Sequence, residues 1–217
     1  MKKSISAWVA ILVSLLPVAY LAGIWNSLPQ TVPLHFTYDM KPDRMGDKSE
    51  MWAVTGILAG VSILVYFLLN NIHHIDPKRR GRPQTGAFDK LAIGLVVFLA
   101  ALNFIIISSV KGSFAMQNLL FPLLGLLFAF LGNYMNNIKP NYFAGFRLPW
   151  TLSDDDNWRK THHLAGRVWF GGGLVLVLAS LLLPVQYTFP LFITVVVVMS
   201  LIPVIYSYRL FKNKTAA

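Results

Sequence analysis

Cysteine is absent from the 217 residues, which removes disulfides, thiol catalysis and Cys-based zinc sites from consideration. Charge is scarce as well. Only 13% of the residues are charged while 55% are hydrophobic, whereas a soluble domain carries about 25% and about 45–50% respectively. Ionisable side chains are missing from the interiors of all the long apolar runs. Proton pumps, ion-coupled transporters and intramembrane metalloproteases need such groups at membrane depth to move charge or activate water. Their absence argues against those three classes.

What is present is mostly bilayer-compatible sequence. Apolar runs at 5–27, 52–70, 90–110, 119–138, 167–184 and 187–207 approach or exceed the roughly 18–20 residues that a helix needs to cross the hydrocarbon core. The expected fold is all-α: one integral membrane domain over 1–217 with six transmembrane helices and no room for a separate soluble domain. The first run, Ile5 to Trp25, exceeds a signal-peptide apolar core of about 7–15 residues and reads as an uncleaved span. The last two runs are joined by a short turn around Pro184, Tyr187 and Pro190.

The net charge of +10 would suggest nucleic acid in a soluble protein. Here it alternates by loop. Fifteen of the 19 Lys and Arg fall on the N-terminus, the second and fourth loops and the tail. The positive-inside rule therefore places both termini and the loop 136–166 in the cytoplasm. Basic charge so distributed serves topology and contact with anionic lipid rather than direct nucleic-acid binding.

The outward loop, 28–51, reads LPQTVPLHFTYDMKPDRMGDKSEM. Pro29 and Pro33 favour extended backbone, and Val32, Leu34 and Phe36 alternate with polar residues as in a strand. Pro42-Asp43 and Met45-Gly46-Asp47 read as turns. His35, Asp39, Asp43, Asp47 and Glu50 match no metal-ligand spacing, and Lys41, Arg44 and Lys48 supply counter-charge. Pro29, Pro33, His35, Asp43 and Lys48 are the candidate recognition residues of this loop.

The densest chemistry lies in Gly132–Phe170, which holds five of the 19 Lys and Arg and three of the six Trp. Pro140, Gly145 and Pro149 are expected to keep Asn141–Trp150 from being helical, while Tyr142, Phe143, Phe146 and Trp150 make the stretch interfacial. Arg147 sits among them, suited to cation–π contact or a phosphate. Ser153 reads as the N-cap of a following helix with Asp156 at the capping-box position. Trp158, His162, Ala165 and Trp169 then share one face of a helix that lies at the interface and continues into the fifth span. His162 and His163 point about 100° apart on such a helix and cannot chelate one ion; a hydrogen-bonded or interfacial role suits His162 better. No cofactor or metal is implied.

GNYMNNIKPNYFAGFRLPWTLSDDDNWRKTHHLAGRVWFGGG is similar to the signature of the SdpI family, bacterial membrane proteins of immunity to the sporulation-delaying-protein toxin. Its core resemblance spans 122–184. The outer loop, LPQTVPLHF…PDRMGDK, resembles a domain of unknown function often found ahead of it. Leu148, His163, Ala165 and Met40 depart from the residues usual at their positions. The resemblance implies a non-enzymatic protein of the bacterial plasma membrane that protects against a secreted, membrane-active peptide. It further implies signalling, with a small winged-helix autorepressor recruited from the cytoplasm. Asn141, Tyr142, Gly145, Arg147, Pro149, Trp150, Thr151, Trp158, Lys160, Thr161 and His162 are the candidate partner-binding residues. An uncoupled small-solute or lipid transporter is the alternative. A membrane-embedded enzyme would need Asp154–Asp156 and His162 to converge on Arg147.

Overall fold

The computed structural model describes residues 3–38, 41–78, 86–111 and 117–215. Lys2, Arg79, Arg80 and Arg82 of the charge count, and Asp39 and Met40 of the outer loop, lie outside the described residues. The protein is a helical membrane bundle with six helices long and apolar enough to span a bilayer. These are α1 (Lys3–Ile24), α2 (Glu50–Asn70), α4 (Gly86–Val110), α5 (Gln117–Met135), α7 (Asp155–Leu182) and α8 (Val185–Thr215), with a short α3 (Ile72–Ile75) after α2 and a short α6 (Pro149–Ser153) before α7.

The helices gather as two triplets, α1 with α2 and α4, and α5 with α7 and α8, joined where α4 meets α5. Lipid tails are as apolar as Leu, so packing between spans relies on close backbone approach and on interhelical hydrogen bonds. The first triplet uses hydrogen bonds. The Ser6 and Tyr66 hydroxyls meet at 2.8 Å, as do those of Ser14 and Ser62, and the Asn103 amide donates to the Thr55 carbonyl at 3.1 Å. The second triplet uses glycine. A Cβ on Gly166 would come within 2.9 Å of the Gly132 carbonyl oxygen, and one on Gly125 within 2.8 Å of that of Gly173. Side chains larger than hydrogen at these four places would push α5 and α7 apart.

The outer loop departs from expectation. Residues Pro42–Asp47 form a strand, β2, paired antiparallel with β1 (Thr31–Phe36), rather than two turns. Alternation had marked β1, but β2 is nearly all exposed and has no apolar alternation, so its strand character comes from the partner and not from its own periodicity. Val32 anchors the hairpin, fully buried with Leu21, Leu28, Met51, Ile107 and Val110.

Two helix boundaries also differ. Pro149 and Trp150 open α6 instead of extending the irregular stretch, because proline lacks only an N–H that the first helical position leaves unpaired. Ser153 ends α6, and Asp154 is the N-cap of α7, its carboxylate accepting from the N–H groups of Asp156 and Asn157. The α7–α8 turn consists of Leu183 and Pro184 alone, so Tyr187 and Pro190 are already inside α8.

Candidate functional site

The segment between α5 and α7 is organised from within. Asn141 is fully buried, and its side-chain oxygen accepts from the backbone N–H groups of Phe143 and Ala144 at 2.8 and 2.7 Å. Its amide donates back to the carbonyls of Lys139 and Ala144 at 2.9 and 3.1 Å. One side chain thus closes the turn that the sequence NYFAG makes. Gly145 follows with φ of 101°, the left-handed region that glycine enters without a steric penalty. A Cβ there would also run into the Nε2 of His162.

His162 lies in the body of the site. Its Nε2 accepts the Phe146 N–H at 3.0 Å, and its Nδ1 lies 2.8 Å from the Trp158 carbonyl oxygen. An imidazole that accepts at Nε2 and donates at Nδ1 is neutral, with its proton on Nδ1. Its ring is stacked on Trp158 at 4.0 Å between centroids, and the Trp158 indole N–H donates to the Ile138 carbonyl at 2.8 Å. Thr151 completes the loop: its hydroxyl donates to the Phe146 carbonyl at 2.6 Å and accepts from the Leu148 N–H at 3.0 Å. Below the loop an apolar cavity of about 310 Å³ is bounded by Leu91, Met135, Phe146 and Trp169, among others.

Two distant segments, residues 76–78 and α8, tie this unit down, and sequence reasoning missed both. The buried Asp76, just after α3, accepts the Tyr142 N–H at 3.0 Å and the Lys78 N–H at 2.8 Å. The Lys78 ammonium donates to the Leu152 carbonyl and lies 3.6 Å from Asp155. From α8, Ser207 receives the Trp150 indole N–H at 3.0 Å on its hydroxyl and the Asn157 amide at 3.0 Å on its carbonyl. Trp150 also packs against Tyr208 and Phe211, and Lys214 pairs with Asp154 at 2.8 Å. The Asp76-Pro77 dipeptide carried a turn signal, but nothing local connects it to a residue 66 positions on.

The candidate residues accordingly divide. Asn141, Thr151, Trp158, Thr161 and His162 are at most 1% exposed and hold the loop together. Tyr142, Gly145, Arg147, Pro149 and Lys160 are on the surface, and Trp150 is half-buried against α8. Arg147 donates to the Tyr142 carbonyl at 2.9 Å and makes no convergent set with the acids or His162. Asp156 instead pairs with Arg159 and Lys160, both at 2.7 Å. The helical face Trp158–His162–Ala165 exists, but it is buried in the bundle core and not laid on the interface. Lys214 beside Asp154, with the N–H groups of Asn157 and Asp156, holds that carboxyl below the ordinary aspartate range.

On the opposite end of the bundle, His35 and Asp43 meet across the hairpin at 2.7 Å. Lys48 lies apart from them, over the Trp25 ring at 4.8 Å, and Pro29 is exposed where the chain leaves the first span. Ser49 lowers the Asp47 carboxyl through side-chain and backbone hydrogen bonds. Among the described residues, no group of three His, Asp or Glu is placed to hold a metal ion.

Six spans and a self-bonded loop between the fourth and fifth define a multi-pass membrane protein. Residues 137–207 match the SdpI/YfhL protein family, and residues 12–59 match a domain of unknown function, DUF1648. The first match contains the loop, α6 and α7, and the second contains the β-hairpin. The chain is similar to the Immunity protein SdpI of Bacillus subtilis (strain 168), 23% identical over 214 residues that make up 98% of each chain. No solved structure matches it.

Proposed function

We propose that this chain is a non-enzymatic membrane protein that protects its cell from a membrane-active peptide toxin. The carrying observation is the end-to-end correspondence with an immunity protein, over 98% of both chains. The side chains that would suit an enzyme support the non-catalytic reading, because they are engaged elsewhere. His162 spends both ring nitrogens on backbone groups. Asp154 caps α7 and pairs with Lys214, while Asp156 pairs with Arg159 and Lys160. Expression in a host sensitive to a depolarising peptide tests the proposal. Survival should rise over the empty vector, and unchanged killing across a panel of such peptides would overturn it.

In this reading both termini and the 136–166 loop face the cytoplasm and the β-hairpin faces outward, as the distribution of basic residues favours. The exposed His35–Asp43 pair is then the part of the hairpin available to a peptide. The surface of Tyr142, Arg147, Pro149 and Lys160 is available to a small winged-helix repressor. Because the N–H groups of Tyr142, Phe143, Ala144, Phe146 and Leu148 are all bonded, that surface is preorganised and a partner pays little to order it. Cysteine accessibility on the two sides of intact cells tests the orientation: a cysteine placed at Ser153 should be shielded from an impermeant thiol reagent, and one at Thr31 labelled.

A further inference from the structure

Beside the loop, a cleft of about 710 Å³ opens between the end of α5, the first turns of α7 and the end of α8. Lys139, Arg159, Lys160, His163 and Arg167 line it, with Tyr206 on the α8 side. Asp156 pairs with Arg159 and Lys160. Lys139 and Arg167 have no ion pair among the described residues. His163 contributes a polar edge, its Nδ1 lying 3.2 Å from the Asn136 amide oxygen.

The placement of these side chains follows one stripe of α7. Arg159, His163 and Arg167 recur at intervals of four, so they share a face over about 12 Å of helix. Continuing along that face come Phe170, Leu174, Leu178 and Leu181, all of them exposed, which in a spanning helix means turned to lipid. The stripe therefore passes from cations to lipid-facing apolar side chains within one turn after Arg167. A second, smaller cleft of about 240 Å³ spans the changeover, walled by Gly132, Gly166, Arg167 and Phe170.

We propose that this cleft binds the phosphate of an anionic phospholipid, with the headgroup held by Lys139 and Arg167 and an acyl chain lying along Phe170. Arginine and lysine favour phosphate through charge-assisted hydrogen bonds, and the leaflet surface supplies it. The apolar continuation is what singles out a lipid over a free anion. The site is independent of the immunity reading and stands or falls apart from it.

The test uses the purified full-length chain in a zwitterionic detergent, with bound lipid counted by native mass spectrometry as phosphatidylglycerol or phosphatidylcholine is added. Phosphatidylglycerol should give a discrete adduct at several-fold lower concentration than phosphatidylcholine. K139Q combined with R167Q should weaken that adduct by about tenfold or more, in proportion to two lost charge-assisted contacts. R209Q combined with K212Q, which removes two cations of the same bundle end outside the cleft, should leave it unchanged. Inorganic phosphate, added as a competitor, separates the sources: failure to displace the lipid at millimolar concentration supports a lipid site. Displacement at micromolar concentration would overturn the lipid in favour of a soluble phosphate. Equal binding of the two lipids, or equal weakening by both double variants, would overturn the site. Circular dichroism of each variant establishes that the bundle is folded.

Discussion

The backbone N–H of Phe146 donates to Nε2 of His162 at 3.0 Å, across 16 residues of sequence and from an irregular loop to the body of a spanning helix. Removing the imidazole leaves that N–H, and the space around it, without a partner. An unsatisfied buried donor costs about 1–3 kcal/mol. His162→Ala should therefore lower the unfolding midpoint in detergent while leaving insertion intact. His162→Gln, which restores an acceptor, should recover part of the loss. Equal stability of His162→Ala and the wild type would show that the bond carries nothing.

Gly145 supplies the backbone shape that brings Phe146 to His162. At φ of 101° an L-residue is strained, and a methyl group would meet the imidazole as well. Gly145→Ala should destabilise by at least about 1 kcal/mol. Limited proteolysis should then cut near Phe143 or Arg147 sooner than in the wild type. Gly171, whose Cβ position opens on empty space, is the control: Gly171→Ala should be neutral.

The close approach of α5 and α7 predicts a larger effect. Gly166→Leu places four carbons where the Gly132 carbonyl leaves none, since even a Cβ would sit 2.9 Å from it. Overpacking of this kind costs typically about 1–3 kcal/mol, and more where backbone cannot yield. Unfolding by titrated SDS, followed by Trp fluorescence, should show the midpoint fall sharply.

Asp154 links acid stability to the chain's end. Its carboxyl is held below the ordinary range, first by Lys214 and then by the N–H groups at the start of α7. A lowered folded-state value means that the contribution is complete above the unfolded value of about 3.9 and is lost as pH falls through the folded one. Asp154→Ala should thus be less stable than the wild type at pH 7, and the difference should shrink below about pH 4. A gap that stayed constant down to pH 2 would show that the carboxylate charge is irrelevant there.

Arg147 and Trp150 separate the proposed docking surface from its support. Arg147 is exposed and bonded to the Tyr142 carbonyl, so Arg147→Ala should weaken co-purification of a winged-helix partner without moving the unfolding midpoint. Trp150→Ala loses the indole bond to Ser207 and the ring contacts with Tyr208 and Phe211, so both readouts should fall. Co-purification of Arg147→Ala at the wild-type level would remove Arg147 from the surface.

Much of this protein is legible without coordinates because lipid decides it locally. A run of about 20 apolar residues has one stable state in a bilayer, with every backbone group bonded inside its own helix. Six spans follow from composition alone, as does the alternation that marks β1, and the motif string at Asn141–His162 is visible as a string. Residue type also marked His162 as a hydrogen-bonded or interfacial group, without choosing between the two or naming a partner.

Tertiary structure decided where polar groups send their bonds. Thirteen percent of the residues are charged, and some of their partners lie far off in sequence: Asp76 with Tyr142 at 66 residues, Lys214 with Asp154 at 60. β2 is a strand because β1 lies beside it. Asp154 caps α7 because Ser153 is already used to end α6. Five motif residues that read as a surface are buried, and Arg159, His163 and Arg167 line a cleft only when α5 and α8 close beside α7. Apolarity acts along the chain, whereas a hydrogen bond or an ion pair needs two groups brought together in space.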